Sequence, residues 1–255
     1  MNKNIIKQTC EACASNMIVG LSPWHLLCPS CSLERSILES KINQLELINE
    51  IKREKALRPI RVHNFNLLVG WIKKIKFANT NQKPKLLDVG SAHGWFLEAA
   101  KNDFEVLGIE PDETIANNAF DKSQKVRKGF FPEVLATDEQ FDVIVFNDVL
   151  EHIPNVKNTF IECSKHLTSD GILVINAPDS RGVLYRTSKL LKKLVKPGAF
   201  NRMWQVGMPS PHLYYFNTNS IIKLANQAGF EIVEKKTRSK KEPYLFSSLV
   251  NFFLF

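Results

Sequence analysis

Residues 85–94 read KLLDVGSAHG, and this stretch decides the fold. A short apolar run carries an acid, Asp88, and breaks at Gly90 and Gly94. Phe96, Leu97, Ala99 and Ala100 then recur at helical spacing. A strand thus turns sharply into a helix, and Gly90 lets the backbone make that turn with no Cβ in the way. The same grammar repeats downstream. EVLGIE (105–110) reads as a strand, PDETIANNAF (111–120) as a helix, and a weak strand lies near Val126. FDVIVFND (141–148) is a fourth strand. NVKNTFIECSKHL (155–167) is a helix with Val156, Phe160, Cys163 and Leu167 inward, and GILVINAP (171–178) is a fifth strand opened by an Asp170–Gly171 turn. Short apolar strands alternating with helices make a parallel sheet covered on both faces, a doubly wound α/β fold.

In such sheets a ligand sits past the carboxyl ends of the strands. Two features mark that place. The Gly90–Gly94 turn leads into a helix whose first N–H groups are unpaired and favour an anionic group. Glu110 ends the next strand 20 residues after Gly90, where a carboxylate accepts both hydroxyls of a ribose. Together they specify a nucleoside-containing cofactor. The turn lacks the G-x-G-x-x-G of dinucleotide binders, and the chain has no G-x-x-x-x-G-K-[ST] for an ATP-binding loop.

Upstream, Cys10-x2-Cys13 and Cys28-x2-Cys31 are separated by fourteen residues. Each pair places two thiolates on one tight turn, and two such turns suit a tetrahedral structural zinc. Four thiolates close the site to substrate. The intervening segment supplies a short hairpin around Gly20–Pro23, and His25 reads as a surface residue. Turns of this kind often carry Gly after the second cysteine; here Ala14 and Ser32 stand there. A redox dithiol and an unmetallated remnant are the alternatives. The expected organisation is a zinc ribbon (1–32), a helical connector (33–80) and an α/β domain (81–255) with an insertion at 181–211. In the connector, residues 33–57 read as a helix on the spacing of Leu38, Ile42 and Leu45, and Pro59 ends it. Phe65, Leu68, Ile72 and Ile75 mark a second.

The chain has 255 residues, 44% apolar and 24% charged, a globular composition. Net charge is +8, unevenly spread. Residues 1–84 carry 13 Lys/Arg against 6 Asp/Glu, residues 85–180 carry 8 against 17, and residues 181–255 carry 13 against 3. Basic flanks around an acidic middle attract phosphates or simply keep the chain soluble. No apolar stretch approaches a membrane span, and MNKNIIKQTCEACAS lacks the apolar core of a signal peptide, so a reducing cytoplasm is the expectation.

Here the motifs carry a resemblance. LLDVGSAHGWFLEAA (86–100), GIEPD (108–112), FDVIVFNDVLEHIPN (141–155) and DGILVINAPDS (170–180) resemble, in order, the motifs of class I S-adenosylmethionine-dependent methyltransferases, a Rossmann-like fold. PHLYYFNTNSIIKLANQAGFEIVE (211–234) resembles a subgroup with an H-L-x-x-F segment before its last helix and sixth strand; many of its members begin with a four-cysteine zinc segment. The resemblance implies that Asp88, Gly90 and Gly94 hold the methionine end of the cofactor, with Ser91 and His93 in variable loop positions. Ala92 stands where the family usually has glycine. The resemblance makes Glu110 the ribose-binding acid, places Pro111 and Asp112 beside the adenine, and places Asn147 and Asp148 near the methionine and transfer region.

Methyl transfer from a sulfonium is an in-line displacement whose donor is already activated, so the protein positions the acceptor and, for oxygen, removes a proton. His152, just after the fourth strand, is the first candidate base and His212 the second. Tyr214 and Tyr215 line the acceptor pocket or belong to the core. After the fifth strand, Leu190, Leu191, Leu194 and Val195 alternate with Lys189, Lys192, Lys193 and Lys196, a basic amphipathic helix stopped by Pro197-Gly198. Such a helix suits a phosphorylated or lipid-linked acceptor, RNA, or peripheral membrane contact through 183–196 or the apolar tail 244–255. The tail is a seventh strand or a helix left by an early end. Three readings stand: a small-molecule methyltransferase acting on a sugar, glycan precursor or secondary metabolite; an RNA methyltransferase; and a scaffold with a decayed cofactor site. No N-P-P-[YF]-type motif for a flipped base is present, and Asn147-Asp148-Val149-Leu150 occupies its place.

Overall fold

A computed structural model describes residues 8–42, 50–78, 82–120, 125–194, 198–237 and 249–254. In chain order the elements are β1 (Ile18–Val19), β2 (His25–Leu27), β3 (Glu34–Ser36), α1 (Glu50–Ile72), β4 (Lys85–Val89), α2 (Trp95–Ala100), β5 (Glu105–Glu110), α3 (Glu113–Phe120), β6 (Val126–Lys128), β7 (Phe141–Asn147), α4 (Val156–His166), β8 (Leu167–Pro178), α5 (Val183–Leu194), α6 (Gly198–Met203), β9 (Tyr214–Tyr215), α7 (Thr218–Gln227), β10 (Ile232–Thr237) and β11 (Leu249–Leu254). They divide into two compact units.

The first unit comprises residues 41–147 and 165–175 and holds the doubly wound sheet. Its five parallel strands run in the order β8-β7-β4-β5-β6. Register is direct: Asp88 lies opposite Gly108 on one side and Val145 on the other. Leu86, Leu87, Val143, Ile144, Val145 and Phe146 are buried, which continuous apolar runs on a two-faced sheet require. Phe96 and Leu97 of α2 are buried as their spacing predicts, and Phe96 meets Phe65 of α1 edge to face at 5.6 Å.

The second unit gathers residues 1–40, 148–164 and 176–254. An antiparallel sheet β1-β2-β3-β9 joins the N-terminal cysteine segment to Tyr214–Tyr215. Asn217 binds the two regions further. Its Nδ2 donates to the carbonyls of Cys31 (3.0 Å) and Ser32 (2.9 Å), while its Oδ1 accepts from Ser220 N and caps α7. Beneath the sheet, Trp24, Tyr185, Phe200, Trp204 and Tyr215 form an aromatic core. The chain's last described strand is β11, antiparallel to β10, which decides between the two readings of the tail.

Four expectations need correction. The helix expected from Leu33 does not begin there, because Glu34–Ser36 pairs as β3 with β2 and β9. The stretch 43–49 of that expected helix lies outside the described residues. Pro59 does not end a helix; α1 runs through it, forfeiting the backbone hydrogen bond that a proline nitrogen cannot donate. β8 begins at Leu167, before the expected Asp170–Gly171 turn. His25 is not a surface residue but is 1% exposed within the aromatic core. Its Nδ1 accepts from Leu21 N, so its Nε2–H donates to Glu34 Oε2 at 2.7 Å. Tyr185 Oη and Lys189 Nζ donate to the same carboxylate at 2.7 and 2.8 Å. Burial opposes the charge of Glu34, but its bonds from His25, Lys189 and Tyr185 outweigh that and hold its pKa below the usual carboxylate range.

Candidate functional sites

Three clusters of chemically capable residues stand out, one in the sheet unit and two in the other.

In the sheet unit the turn after β4 is pinned under β5. Gly90 N and Ser91 N both donate to Ile109 O, at 2.8 and 2.9 Å. Gly90 and Gly94 take φ of 75° and 72°, the left-handed region that glycine enters freely. Ala92 takes φ 45°, where its Cβ is strained. Its N–H donates to Glu110 Oε2 at 2.8 Å, and Asp112 N donates to Oε1 at 2.9 Å. Both oxygens are thereby oriented, and each retains a lone pair for a further donor. Burial pushes Glu110 up to about 6 despite those two bonds. Burial, with repulsion from Glu110, holds Asp88 well above the usual carboxylate range. Asp112 also caps α3, its Oδ1 accepting from Ile115 N. Pro111 lies between these two acids. Asn147 closes β7; Asp148, the first residue of the other unit, takes φ 58°.

These residues suit a nucleoside cofactor. Ser91 Oγ is buried with no hydrogen-bond partner, a polar atom that a bound polar group would satisfy. Gly108 lies so close to Ser91 that a Cβ there would meet its Oγ at 2.5 Å.

The four cysteines of the other unit come together. Cys10 Sγ lies 3.4 Å from Cys31 Sγ, and Cys13 Sγ 3.4 Å from Cys28 Sγ. All four sulfurs lie within 4.8 Å of one another, the spacing of a tetrahedral thiolate site. The two turns are alike: Ala14 N donates to Cys10 O and Ser32 N to Cys28 O. Ala14 and Ser32, the residues standing in place of glycine, both adopt φ 58°.

The third cluster joins Glu151, His152 and His212, with one ligand-type atom of each within 4.8 Å of the others. A 3-10 turn over Leu150–His152 follows directly from the stretch that closes β7. Leu213 N donates to Glu151 O at 2.7 Å and His212 N to Trp204 O at 3.1 Å, which sets His212 against that turn. The rings of His152 and His212 stand edge to face, centroids 4.7 Å apart. His152 Nδ1 faces Pro211 O at 3.0 Å, so it carries the proton and Nε2 keeps a lone pair. Burial pushes His152 down to about 4; burial and then repulsion from His152 push His212 well down. Both are neutral imidazoles at neutral pH. Burial, then repulsion from Asp148, raises Glu151 well above the carboxylate range. Sequence reading passed over Glu151 as the mere neighbour of His152; its signal is an acid directly preceding a histidine at the end of a strand. Tyr214 and Tyr215 are buried in the sheet, Tyr215 Oη donating to Met203 O, so they belong to the core.

With this geometry in view, comparison with known proteins places the chain in a class. Residues 62–235 match the family described as Methyltransferase domain, and the chain belongs to that family. It is an S-adenosylmethionine-dependent methyltransferase. A ubiquinone biosynthesis O-methyltransferase of Rickettsia akari is 22% identical over 204 residues, 78% of this chain and 74% of that one. An S-adenosylmethionine-dependent methyltransferase of Thermotoga maritima shares the fold at a TM-score of 0.58 and 18% identity, covering 82% of this chain and 95% of that one. Magnesium protoporphyrin IX methyltransferase of Synechocystis, solved with bound S-adenosylhomocysteine, shares it at 0.57 and 15% identity, covering 82% and 89%.

Proposed function

We propose that the enzyme methylates an oxygen of a small-molecule acceptor, a sugar, glycan precursor or other secondary metabolite. The observation that carries this reading is the pair of neutral imidazoles, His152 and His212, beside the Glu151 carboxyl. A neutral imidazole keeps one ring lone pair, which engages the acceptor hydroxyl directly or through a bound ion. The acceptor oxygen attacks the methyl carbon in line, the carbon–sulfur bond breaks, S-adenosylhomocysteine departs, and the cluster assists release of the hydroxyl proton to solvent.

In this reading Asp88, Gly90, Ser91 and Gly94 hold the methionine end of S-adenosylmethionine. Glu110 takes the ribose hydroxyls, Pro111 and Asp112 flank the adenine, and Asn147 and Asp148 line the methionine region. Cys10, Cys13, Cys28 and Cys31 hold a structural Zn2+. The exposed face of α5 favours a lipid-linked, phosphorylated acceptor met in the cytoplasm at an anionic membrane surface. Val183, Leu184, Leu190, Leu191 and Leu194 are exposed there, with Lys193 exposed and Lys192 half-buried beside them. Lys189, expected among the phosphate-binding lysines, is instead bound to Glu34. Val195 and Lys196 lie outside the described residues. Among the described residues no helix is long and apolar enough to cross a membrane.

The test is mass-spectrometric detection of methyl transfer to a panel of phenols, sugars, sugar nucleotides, polyprenyl-phosphate sugars and RNA fragments. Oxygen-methylated small molecules are expected. His152→Ala and His212→Ala should lower kcat by about 10²-fold or more while leaving S-adenosylhomocysteine binding intact. Methylation of RNA alone would overturn the reading.

A further inference from the structure

The Glu151–His152–His212 cluster has a chemistry that the bare side chains do not use. Glu151 Oε2 and His212 Nδ1 are both buried and have no hydrogen-bond partner. Orphaned polar atoms at 1% and 7% exposure are costly, and two of them within one cluster call for a common partner. His152 is oriented as a metal ligand is. His152 gives its Nδ1 proton to the Pro211 carbonyl, with Ser210 Oγ 3.2 Å away, which leaves Nε2 free. His212 Nε2 faces the Gln205 side-chain nitrogen at 2.9 Å, which donates to it and leaves the ring proton on Nδ1. Ligation through Nδ1 requires the amide to turn its oxygen to the ring, so that Nε2–H donates and Nδ1 keeps its lone pair. Asp148 adds a second acid whose repulsion of Glu151 a cation would relieve.

We propose that Glu151, His152 and His212 bind a divalent transition-metal ion of the zinc class, leaving coordination positions open for an oxygen of the acceptor. Two imidazoles and one carboxylate suit zinc, cobalt, iron or manganese over magnesium or calcium. This deepens the proposed function and rests on its reading of the cluster as the acceptor's site. The acceptor hydroxyl ligates the ion and its proton leaves to solvent. The oxygen then attacks the methyl carbon, the carbon–sulfur bond breaks, and S-adenosylhomocysteine leaves. The imidazoles act as ligands and take no proton, and no oxidant or reductant is consumed. The ion is separate from the four-cysteine zinc, which has no open position.

The experiment loads the full chain with one equivalent of Zn2+, then titrates Co2+. Metal per chain is measured after gel filtration, and the cobalt environment by X-ray absorption and visible spectroscopy. Wild type should retain two ions per chain, the cobalt showing imidazole scattering and no thiolate charge-transfer band. Glu151→Gln and His212→Gln should retain one. A wild type that stops at one ion, variants that still take two, or a second cobalt without imidazole ligands would each overturn the proposal. Should the variants fail to fold, the wild-type spectrum alone decides. A two-metal protein that methylates no oxygen acceptor would keep the metal and remove the acceptor reading. A one-metal protein that does so would keep the reading and remove the metal.

Discussion

The proposed cofactor cradle and the aromatic–histidine unit are built on opposite plans. The cradle is nearly continuous in sequence: Ala92 N and Glu110 meet across 18 residues and Asp112 N and Glu110 across 2. The other unit is stitched from distant segments. Asn217 reaches Cys31 across 186 residues, Ser36 reaches His212 across 176, and His152 meets Pro211 across 59. A local plan tolerates a poor residue, such as Ala92 in a glycine conformation, because the neighbouring backbone bonds hold the turn. A stitched plan hangs on a few buried polar anchors.

The sharpest break of this contrast lies at Glu34. Glu34→Ala leaves Tyr185 Oη, His25 and Lys189 without their shared acceptor in a buried setting, and should destabilise the stitched unit by about 3–5 kcal/mol. Loss of near-ultraviolet dichroism from Trp24 and Trp204, at lower denaturant than in wild type, is the readout. The cofactor affinity of the sheet unit should outlast that loss.

Next in size is the cofactor affinity itself. In the proposed site only an ionised Glu110 accepts from both ribose hydroxyls, and its pKa before binding is about 6. S-adenosylhomocysteine affinity should therefore be flat above pH 7 and fall towards about tenfold per unit below 6. Glu110→Gln should bind about tenfold or more weakly at pH 7.5 and lose the pH dependence. Titration calorimetry across pH checks both.

Acid should also separate the units. The folded pKa of Glu34 is depressed, so its contribution is complete above the ordinary carboxylate value of about 4.3 and is lost as pH falls through the folded value. Urea midpoints followed by tryptophan fluorescence should decline over that range in wild type, and less steeply in Glu34→Gln.

The smallest effect is at Ala92. Ala92→Gly removes a Cβ held at φ 45° and should stabilise the sheet unit by about 1 kcal/mol, with cofactor affinity equal or tighter. Thermal unfolding with and without S-adenosylhomocysteine measures it.

The same contrast explains what could be read in advance. The β4 turn, the alternating strands and the paired cysteines are legible because each signal is complete within a short window. Burial of His25 is not legible, because four thiolates make it redundant as a ligand and nothing nearby in sequence reveals the Glu34 and Tyr185 that enclose it. The helical spacing of Leu38, Ile42 and Leu45 extends back over Glu34–Ser36 and masks a strand whose other partner, β9, lies far along the chain. Glu151 gained its meaning only when His212 arrived beside it.

The central claim is that the Gly90–Asp112 stretch holds S-adenosylmethionine through Glu110. Calorimetric titration of S-adenosylhomocysteine into wild type and Glu110→Ala tests it most directly. One site per chain in wild type, weakened at least about tenfold in the variant, is the expected result. No binding in a folded wild type, or equal binding in the variant, would contradict it.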